Sequence, residues 1–227
     1  MKIKKLFLVE GAREAEGITV IIDVFRAFTL EAYLYAQNTE DIYAVSSKET
    51  AYALKEEHPD VLLCGERGGK ILPGFDFGNS PSVIKDRDFK GKTILHTTTN
   101  GTQGIANAGH ADAILTGSFV NAKATAEWIE RQNPSVVSLV CMGWETHRTE
   151  EDELCADYLS ALLRHEEMPD LEERLLNLKY QEGKKFFDPA QQEVFPEEDF
   201  WMCVKHDIFD FAIAVKKEGE VYHCVRA

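Results

Sequence analysis

No apolar stretch of the sequence approaches the length needed to cross a membrane. Met1 to Val9 is too short and too interrupted by lysine to serve as a secretory signal. Signals of cysteine pairing are also missing. The five cysteines, Cys64, Cys141, Cys155, Cys203 and Cys224, are odd in number, widely spaced and without a C-x-x-C arrangement. Several sit inside apolar runs such as Leu62-Leu63-Cys64 and Val140-Cys141-Met142, the pattern of reduced, buried thiols in a cytoplasmic protein. Positive charge is scarce: 25 basic against 39 acidic residues leave a net charge of −14. A field of that sign repels nucleic acid and anionic lipid, so neither is expected as a partner. It also slows an anionic substrate unless the site carries its own positive charge or a metal. Internal repeats and low-complexity tracts are absent.

What the chain does have is alternation. With 227 residues, 44% of them hydrophobic, it can bury a core without disulfides. Thr19 to Val24 is a β-branched run typical of a buried strand, and Ala27 to Gln37 carries Phe28, Leu30, Leu34 and Tyr35 at helical spacing. Further strands are expected at Asp41 to Val45, Val61 to Cys64, Thr93 to His96, Ala113 to Leu115 and Val136 to Cys141. Helices are expected from Ser47 to about Glu57, Thr102 to Ala108, Ala122 to Gln132 and Glu150 to Leu163. Ser47 can cap the helix it opens, and His58-Pro59 stops it. Between the third strand and Pro81 the rhythm breaks into a glycine-rich loop whose Phe75 and Phe77 argue against disorder.

Serial β–α units predict an α/β fold, a mostly parallel sheet with helices on both faces, over residues 1–165. Residues 166–227 are read as a smaller C-terminal α+β portion packed on that core. There Glu166 to Lys185 is charged and helical in pattern, and Pro189 and Pro196 punctuate a connector. Phe211 to Val225 has the pattern of a terminal β-hairpin turning at Gly219, expected to form one side of a cleft.

In open α/β sheets ligands bind beyond the carboxyl ends of the strands, and here the residues following the strands are polar. Asp23-Val24-Phe25-Arg26 follows the first. Its acid can hold a metal or a water and Arg26 can clamp a phosphate, or the pair is a helix-capping Asp with a surface Arg. Gly65-Glu66-Arg67-Gly68-Gly69 follows the third. Its glycines let backbone N–H groups approach an anion while Glu66 and Arg67 supply both charges, or it is a flexible turn. Asp76 and Gly78-Asn79-Ser80-Pro81 come next, with side-chain donors at Asn79 and Ser80.

Thr97-Thr98-Thr99-Asn100-Gly101-Thr102 runs straight into a helix, whose N-terminal N–H groups and dipole favour an anion. A plain N-cap would need only one of those residues. His96, at a strand end, is either an acid–base group or structural. Glu150-Glu151-Asp152-Glu153 opens a later helix. Acids there suit the dipole, yet four in a row leave one or two, Asp152 or Glu153, for a metal. Spare carboxylates beside neutral donors fit Mg²⁺ together with a phosphate.

Five segments in order resemble the 2-phosphosulfolactate phosphatase family of the coenzyme M pathway: Ile22 to Ala27 (I-D-V-F-R-A), Gly65 to Gly69 (G-E-R-G-G), Gly74 to Pro81 (G-F-D-F-G-N-S-P), Thr97 to Thr102 (T-T-T-N-G-T) and Glu151 to Ala156 (E-D-E-L-C-A). The resemblance implies Mg²⁺-dependent removal of phosphate from 2-phosphosulfolactate, or from a closely related small 2-phosphorylated acid, and an α/β fold with a cleft between two lobes. Two positions depart from the family pattern: Phe28, where small hydroxylated residues are usual, and Asp157, where Gly is more frequent.

Residues and resemblance together give the following expectation. Asp23, Glu66 and one of Asp152 or Glu153, with Asp76 in reserve, hold Mg²⁺ or its waters. The Thr97 to Thr102 loop, Asn79 and Ser80 bind phosphate oxygens. Arg26 and Arg67 neutralise charge in the transition state, or Arg67 holds the sulfonate. The nucleophile is a metal-activated water or Asp23 itself. Phe25 occupies the second position of the D-x-D motif of haloacid dehalogenase phosphatases, and no C-x₅-R loop is present. A nucleotide-using transferase and a non-catalytic phosphate-ester binding protein are the competing classes. The first lacks a Walker A lysine and a G-x-G-x-x-G loop. A homodimer is the expected assembly.

Overall fold

In the computed structural model, which describes residues 1–227, the alternation of the sequence becomes a ten-stranded sheet with helices. The chain opens on a strand and helix that the sequence pattern did not announce, β1 (Lys2–Phe7) and α1 (Leu8–Glu14). It continues through β2 (Gly17–Ile22), α2 (Ala27–Ala36), β3 (Asp41–Ala44), α3 (Lys48–Glu57), β4 (Leu62–Arg67), β5 (Lys70–Ile71), α4 (Pro81–Ile84), β6 (Thr93–Thr97), α5 (Gly101–Asn107), β7 (Ala111–Gly117), α6 (Ala122–Gln132), β8 (Val136–Cys141) and α7 (Glu150–Arg164). Then come α8 (Leu171–Asn177), α9 (Glu197–Cys203), β9 (Ile213–Glu218) and β10 (Val221–Arg226). Ser47 caps α3 as expected, its Oγ accepting from the Thr50 N–H at 3.0 Å. The charged stretch after α7 is less helical than its pattern suggested, with α8 giving way to short 3₁₀ turns. No helix is long and apolar enough to cross a membrane.

The strand order is β1-β8-β2-β7-β9-β10-β3-β6-β4-β5. β1, β8, β2 and β7 pair in parallel, as do β3, β6 and β4. The α/β class read from the sequence is what is found. The terminal hairpin is present too, turning at Gly219 with φ +64°, and it lies in the middle of the sheet. β9 runs antiparallel to β7 and β10 antiparallel to β3. Three successive antiparallel pairings separate β7 from β3, so the two parallel halves run in opposite directions.

Core packing shows how these halves are arranged. β2 alternates as a strand must: Val20 and Ile22 enter one apolar cluster with α6 and α7, while Ile21 enters another. That second cluster joins Ile21 and Val140 of the first half to Ile42 and Ile94 of the second, with residues of α1, α2 and α5 between them. α3 covers the far face of the second half through Ala51, against Leu63 and Leu95. Helices therefore lie on both faces, and three of them are sandwiched between the halves. In a flat sheet β2 and β6 would stand five strand spacings apart, roughly 24 Å. Instead a side chain added at Gly101, just after β6, would come 2.9 Å from Oδ2 of Asp23, just after β2. The sheet is folded over, and the carboxyl ends of its two halves close on one another. The five cysteines are free and buried.

Candidate active site

The cavity at this junction is lined by Asp23, Phe25, Arg26, Glu66, Gly69, Asn79, Thr99, Asn100, Gly143, Trp144, Lys185 and Phe195. Its walls come from loops after β2, β4, β6 and β8 and from the C-terminal segment; no hairpin residue reaches it.

Asp23 is 8% exposed. Its Oδ1 accepts from the Ala27 N–H at 3.2 Å, which holds the start of α2 against the strand end. Burial, and then the neighbouring Glu66 carboxylate, raise its pKa to about 6 against the Ala27 hydrogen bond. Asp152 lies behind it. Both of its oxygens accept backbone hydrogen bonds, from Val24 at 2.9 Å and Gly143 at 2.8 Å, so it ties the loops after β2 and β8 together. Burial, Glu151 and Asp23 raise its pKa well above the carboxylate range. Glu151 is equally buried, its Oε2 has no hydrogen-bond partner, and burial lifts its pKa to about 7 against the pull of Lys185.

Glu66 is a clamp. Its Oε1 accepts from the Thr99 N–H at 2.8 Å, and its Oε2 from the Gly69 N–H at 2.7 Å and the Thr99 hydroxyl at 3.2 Å. Gly69 has φ +80°, and a Cβ there would fall 2.3 Å from the ring of Phe195. Only glycine allows that turn and that contact together.

Arg26 is 4% exposed. Its Nη1 donates to Asp199 Oδ2 at 2.6 Å and to the Val194 carbonyl at 2.9 Å, and its guanidinium carbon stands 4.9 Å from the Phe195 ring centroid. Asp199, fully buried on α9, also accepts from the Ser80 hydroxyl and the Ser82 N–H, both at 2.9 Å. Lys185 lies 3.6 Å above the Trp144 ring, with Glu182 Oε2 at 3.8 Å, and its ammonium makes no hydrogen bond within the chain. Burial lowers its pKa while Glu151 and Glu182 oppose the shift.

Of the residues expected from the sequence, Asp23, Arg26, Glu66, Asn79, Thr99 and Asn100 share this cavity. Others stand behind it. Thr98 and Thr102 cap one another: Thr98 Oγ1 accepts from the Thr102 N–H at 3.0 Å and Thr102 Oγ1 from the Thr98 N–H at 3.2 Å. Asn100 reaches the cavity, but its amide is spent on Met142, and on both the carbonyl and the N–H of Glu145. Thr97 Oγ1 accepts from Arg67 Nη2 at 3.2 Å, and Arg67 Nη1 donates to the Glu66 carbonyl, so Arg67 braces the loop from outside. Gly101 leaves room for Asp23 and Phe28. Ser80 holds Asp199.

Two candidates are elsewhere. Asp76 is exposed, and its Oδ2 accepts from the Leu63 N–H at 2.8 Å. Glu153 pairs with Arg148 at 2.7 Å on the surface. Each acid finds a better local partner than the cavity. The two departures from the family pattern also lie off the site: Phe28 is 1% exposed in the core, and Asp157 bonds Lys5 and Arg174.

Asp199, Lys185, Phe195 and Glu151 are the residues that motif reading missed. Glu151 sits inside a quoted motif and could have been weighed beside Asp152. Lys185 and Phe195 carried no motif, and Asp199 stands in an ordinary acidic helix start. Buried thiols are not nucleophiles here: burial raises the pKa of Cys64 well above its ordinary value and that of Cys141 likewise.

No three His, Cys, Asp or Glu side chains are grouped to cage a metal ion. Mg²⁺ does not require such a cage. It is commonly held by one or two carboxylates, with waters and substrate phosphate completing its shell. Asp23 and Glu66 supply two carboxylates on one cavity, and the like charge of Glu66 that raises the Asp23 pKa is what a cation would relieve. The donor set fits.

A cavity beyond strand carboxyl ends, with carboxylates and buried cations on the same lining, defines an α/β enzyme for an anionic ligand. Comparison with known proteins makes this specific. The family model described as 2-phosphosulpholactate phosphatase matches residues 6–218. Relatives named "Probable 2-phosphosulfolactate phosphatase" include one from Bacillus subtilis, 32% identical over 90% of this chain and 89% of its own length. One from Carboxydothermus hydrogenoformans is 41% identical over 77% of this chain and 72% of its own. A third, from Caldicellulosiruptor saccharolyticus, is 35% identical over 86% and 87%. The chain belongs to the 2-phosphosulpholactate phosphatase family, and with it to the phosphoric monoester hydrolases.

Proposed function

We propose that this protein hydrolyses 2-phosphosulfolactate, or a closely related small 2-phosphorylated acid, to the 2-hydroxy acid and phosphate with the help of Mg²⁺. The observation that carries the reading is the pairing, in one cavity, of two carboxylates, Asp23 and Glu66, with two desolvated cations, Arg26 and Lys185. The substrate named by the relatives combines a phosphate with further acid groups, and a single cation would leave some of that charge unmatched.

Asp23 and Glu66 would hold Mg²⁺, which supplies charge neutralisation at the phosphoryl oxygens. The chain's own residues do the rest. Arg26, locked by Asp199, presents a fixed positive charge near the phosphoryl group and needs no rearrangement as charge builds in the transition state. Lys185 has all three N–H donors free of hydrogen bonds and takes a second acid group of the substrate. Asn79 donates to a phosphate oxygen, while Thr99, whose N–H and hydroxyl both donate to Glu66, holds that carboxylate in place. Phe25, Trp144 and Phe195 exclude bulk water and strengthen each of these charges. In the net reaction one water is consumed. Its oxygen joins phosphorus, the bond from phosphorus to the ester oxygen breaks, and the leaving oxygen takes up one of the water's protons to become the hydroxyl of the product.

The test is release of inorganic phosphate from 2-phosphosulfolactate and from other small phosphorylated acids, with Mg²⁺ and with excess chelator. Turnover that vanishes in chelator and returns with Mg²⁺ is expected. Full turnover in chelator would refute the metal assignment, and no turnover on any acid would refute the substrate class.

A further inference from the structure

Behind the cavity wall lies a buried pair that the mechanism above does not use. Glu31 on α2 and His96 on β6 are both 0% exposed. Oε1 of Glu31 is 2.8 Å from Nδ1 of His96, and Nε2 of His96 is 3.1 Å from Oδ1 of Asn79, whose side chain lines the cavity. We propose that Glu31 and His96 are positioning residues that hold the Asn79 amide with its nitrogen toward the cavity, where it donates to a phosphate oxygen. The proposal rests on the phosphatase reading for the identity of that oxygen.

His96 defines the orientation of the amide: Oδ1 of Asn79 faces Nε2, while the Cys64 thiol, 3.9 Å from Oδ1, has the Gly78 carbonyl nearer at 3.6 Å. The acceptor end of the amide thus points into the protein. Nδ2 makes no hydrogen bond within the chain and is the end left for a ligand.

Glu31 orients the ring that does this. Its Oε1 stands 2.8 Å from Nδ1 and so fixes the imidazole with Nε2 toward Asn79. A fully buried polar pair is otherwise an expensive way to fill a core.

The experiment replaces both partners at once. Glu31→Leu with His96→Phe removes the charge and its partner together, a change cores tolerate better than loss of one. Calorimetry with inorganic phosphate and Mg²⁺, and KM and kcat on 2-phosphosulfolactate, are measured for this variant, for Asn79→Ala and for the three substitutions combined. The expected result is a melting temperature near wild type with phosphate affinity weakened roughly tenfold or more, the loss of one hydrogen bond to a charged group. KM should rise likewise, and the triple variant should bind no worse than Asn79→Ala, because the pair acts through that amide. His96→Gln, which keeps a donor, should recover part of the affinity. A folded Glu31→Leu, His96→Phe variant with wild-type affinity, effects that add in the triple variant, or a wild type that binds no phosphate would each overturn the proposal. A wild type that binds phosphate in a pair-dependent way but hydrolyses nothing would instead sink the phosphatase reading and leave this inference standing.

Discussion

Nη1 of Arg26 lies 2.6 Å from Oδ2 of Asp199, with 3% and 0% of the two side chains exposed, across 173 residues of sequence. This contact fixes the loop after β2 to α9, and it sets the direction of the only arginine that lines the cavity. Asp199→Ala leaves a buried guanidinium with only carbonyl partners and should cost about 3–5 kcal/mol, a fall in melting temperature on the order of 10 °C for a chain of this size. Asp199→Asn, which still accepts from Arg26, should lose less stability. Differential scanning calorimetry on both variants reads the difference, and equal melting temperatures for Asp199→Ala and wild type would show that the pair is not a structural tie.

Asp23 should make the protein less stable and more active at once. Its folded pKa of about 6 is above its ordinary 3.8, so the folded state binds the proton more tightly than the unfolded one. Stability from this group is therefore present at low pH and lost as pH rises through about 6, each pH unit between the two values being worth about 1.4 kcal/mol. In chelator, Asp23→Asn should melt higher than wild type at pH 7.5 and lose that advantage toward pH 4, while with Mg²⁺ present its kcat falls by orders of magnitude. Thermal melts across that pH range check the sign, and a variant less stable than wild type at pH 7.5 contradicts the assignment.

Lys185→Met keeps much of the side chain's length over Trp144 and removes the ammonium. Loss of a charged donor to an acid group of the substrate is worth about 1.5–3 kcal/mol, so KM should rise roughly ten- to a hundredfold with a smaller change in kcat. The same substitution takes a favourable charge away from Glu151, whose pKa should rise further above its present value near 7. Steady-state kinetics separates KM from kcat here; an unchanged KM would remove Lys185 from substrate binding.

Asp76→Asn and Glu153→Gln are expected to retain turnover within about twofold, because neither carboxylate reaches the cavity and an exposed pair such as Glu153 with Arg148 contributes no more than ~1 kcal/mol. A large loss of kcat in either would mean that the metal shell extends beyond Asp23 and Glu66.

The site was partly legible because strand-end chemistry is local. Asp23, Glu66, Asn79, Thr99 and Asn100 each follow or flank a readable strand, and the rule that ligands gather at carboxyl ends pointed to them. The threonine run shows the limit of that approach. Its hydroxyls look equivalent in sequence, yet Thr98 and Thr102 are consumed by each other, Thr97 by Arg67 and Thr99 by Glu66. Hydrogen-bond demand inside the fold, and not residue type, decides which donors remain. Asp152 is a similar case: an acid suited to a metal proves to be engaged by two backbone N–H groups.

The sequence by itself determined the α/β class, most of the strands and helices and the terminal hairpin, since those follow from side-chain period and turn chemistry over a few residues. Tertiary structure alone decided where the hairpin goes. By entering the middle of the sheet it reverses one parallel half against the other, and the folded sheet then brings Asp23 and Gly101 into contact. It also decided the cationic half of the site. Lys185 and the Asp199 anchor of Arg26 come from a segment without strand or repeat, and their roles exist only through contacts with residues distant in sequence, Trp144 for the first and Arg26 for the second. Pairing over such distances leaves no periodic trace, because it depends on which surfaces pack together and not on the order of neighbouring residues.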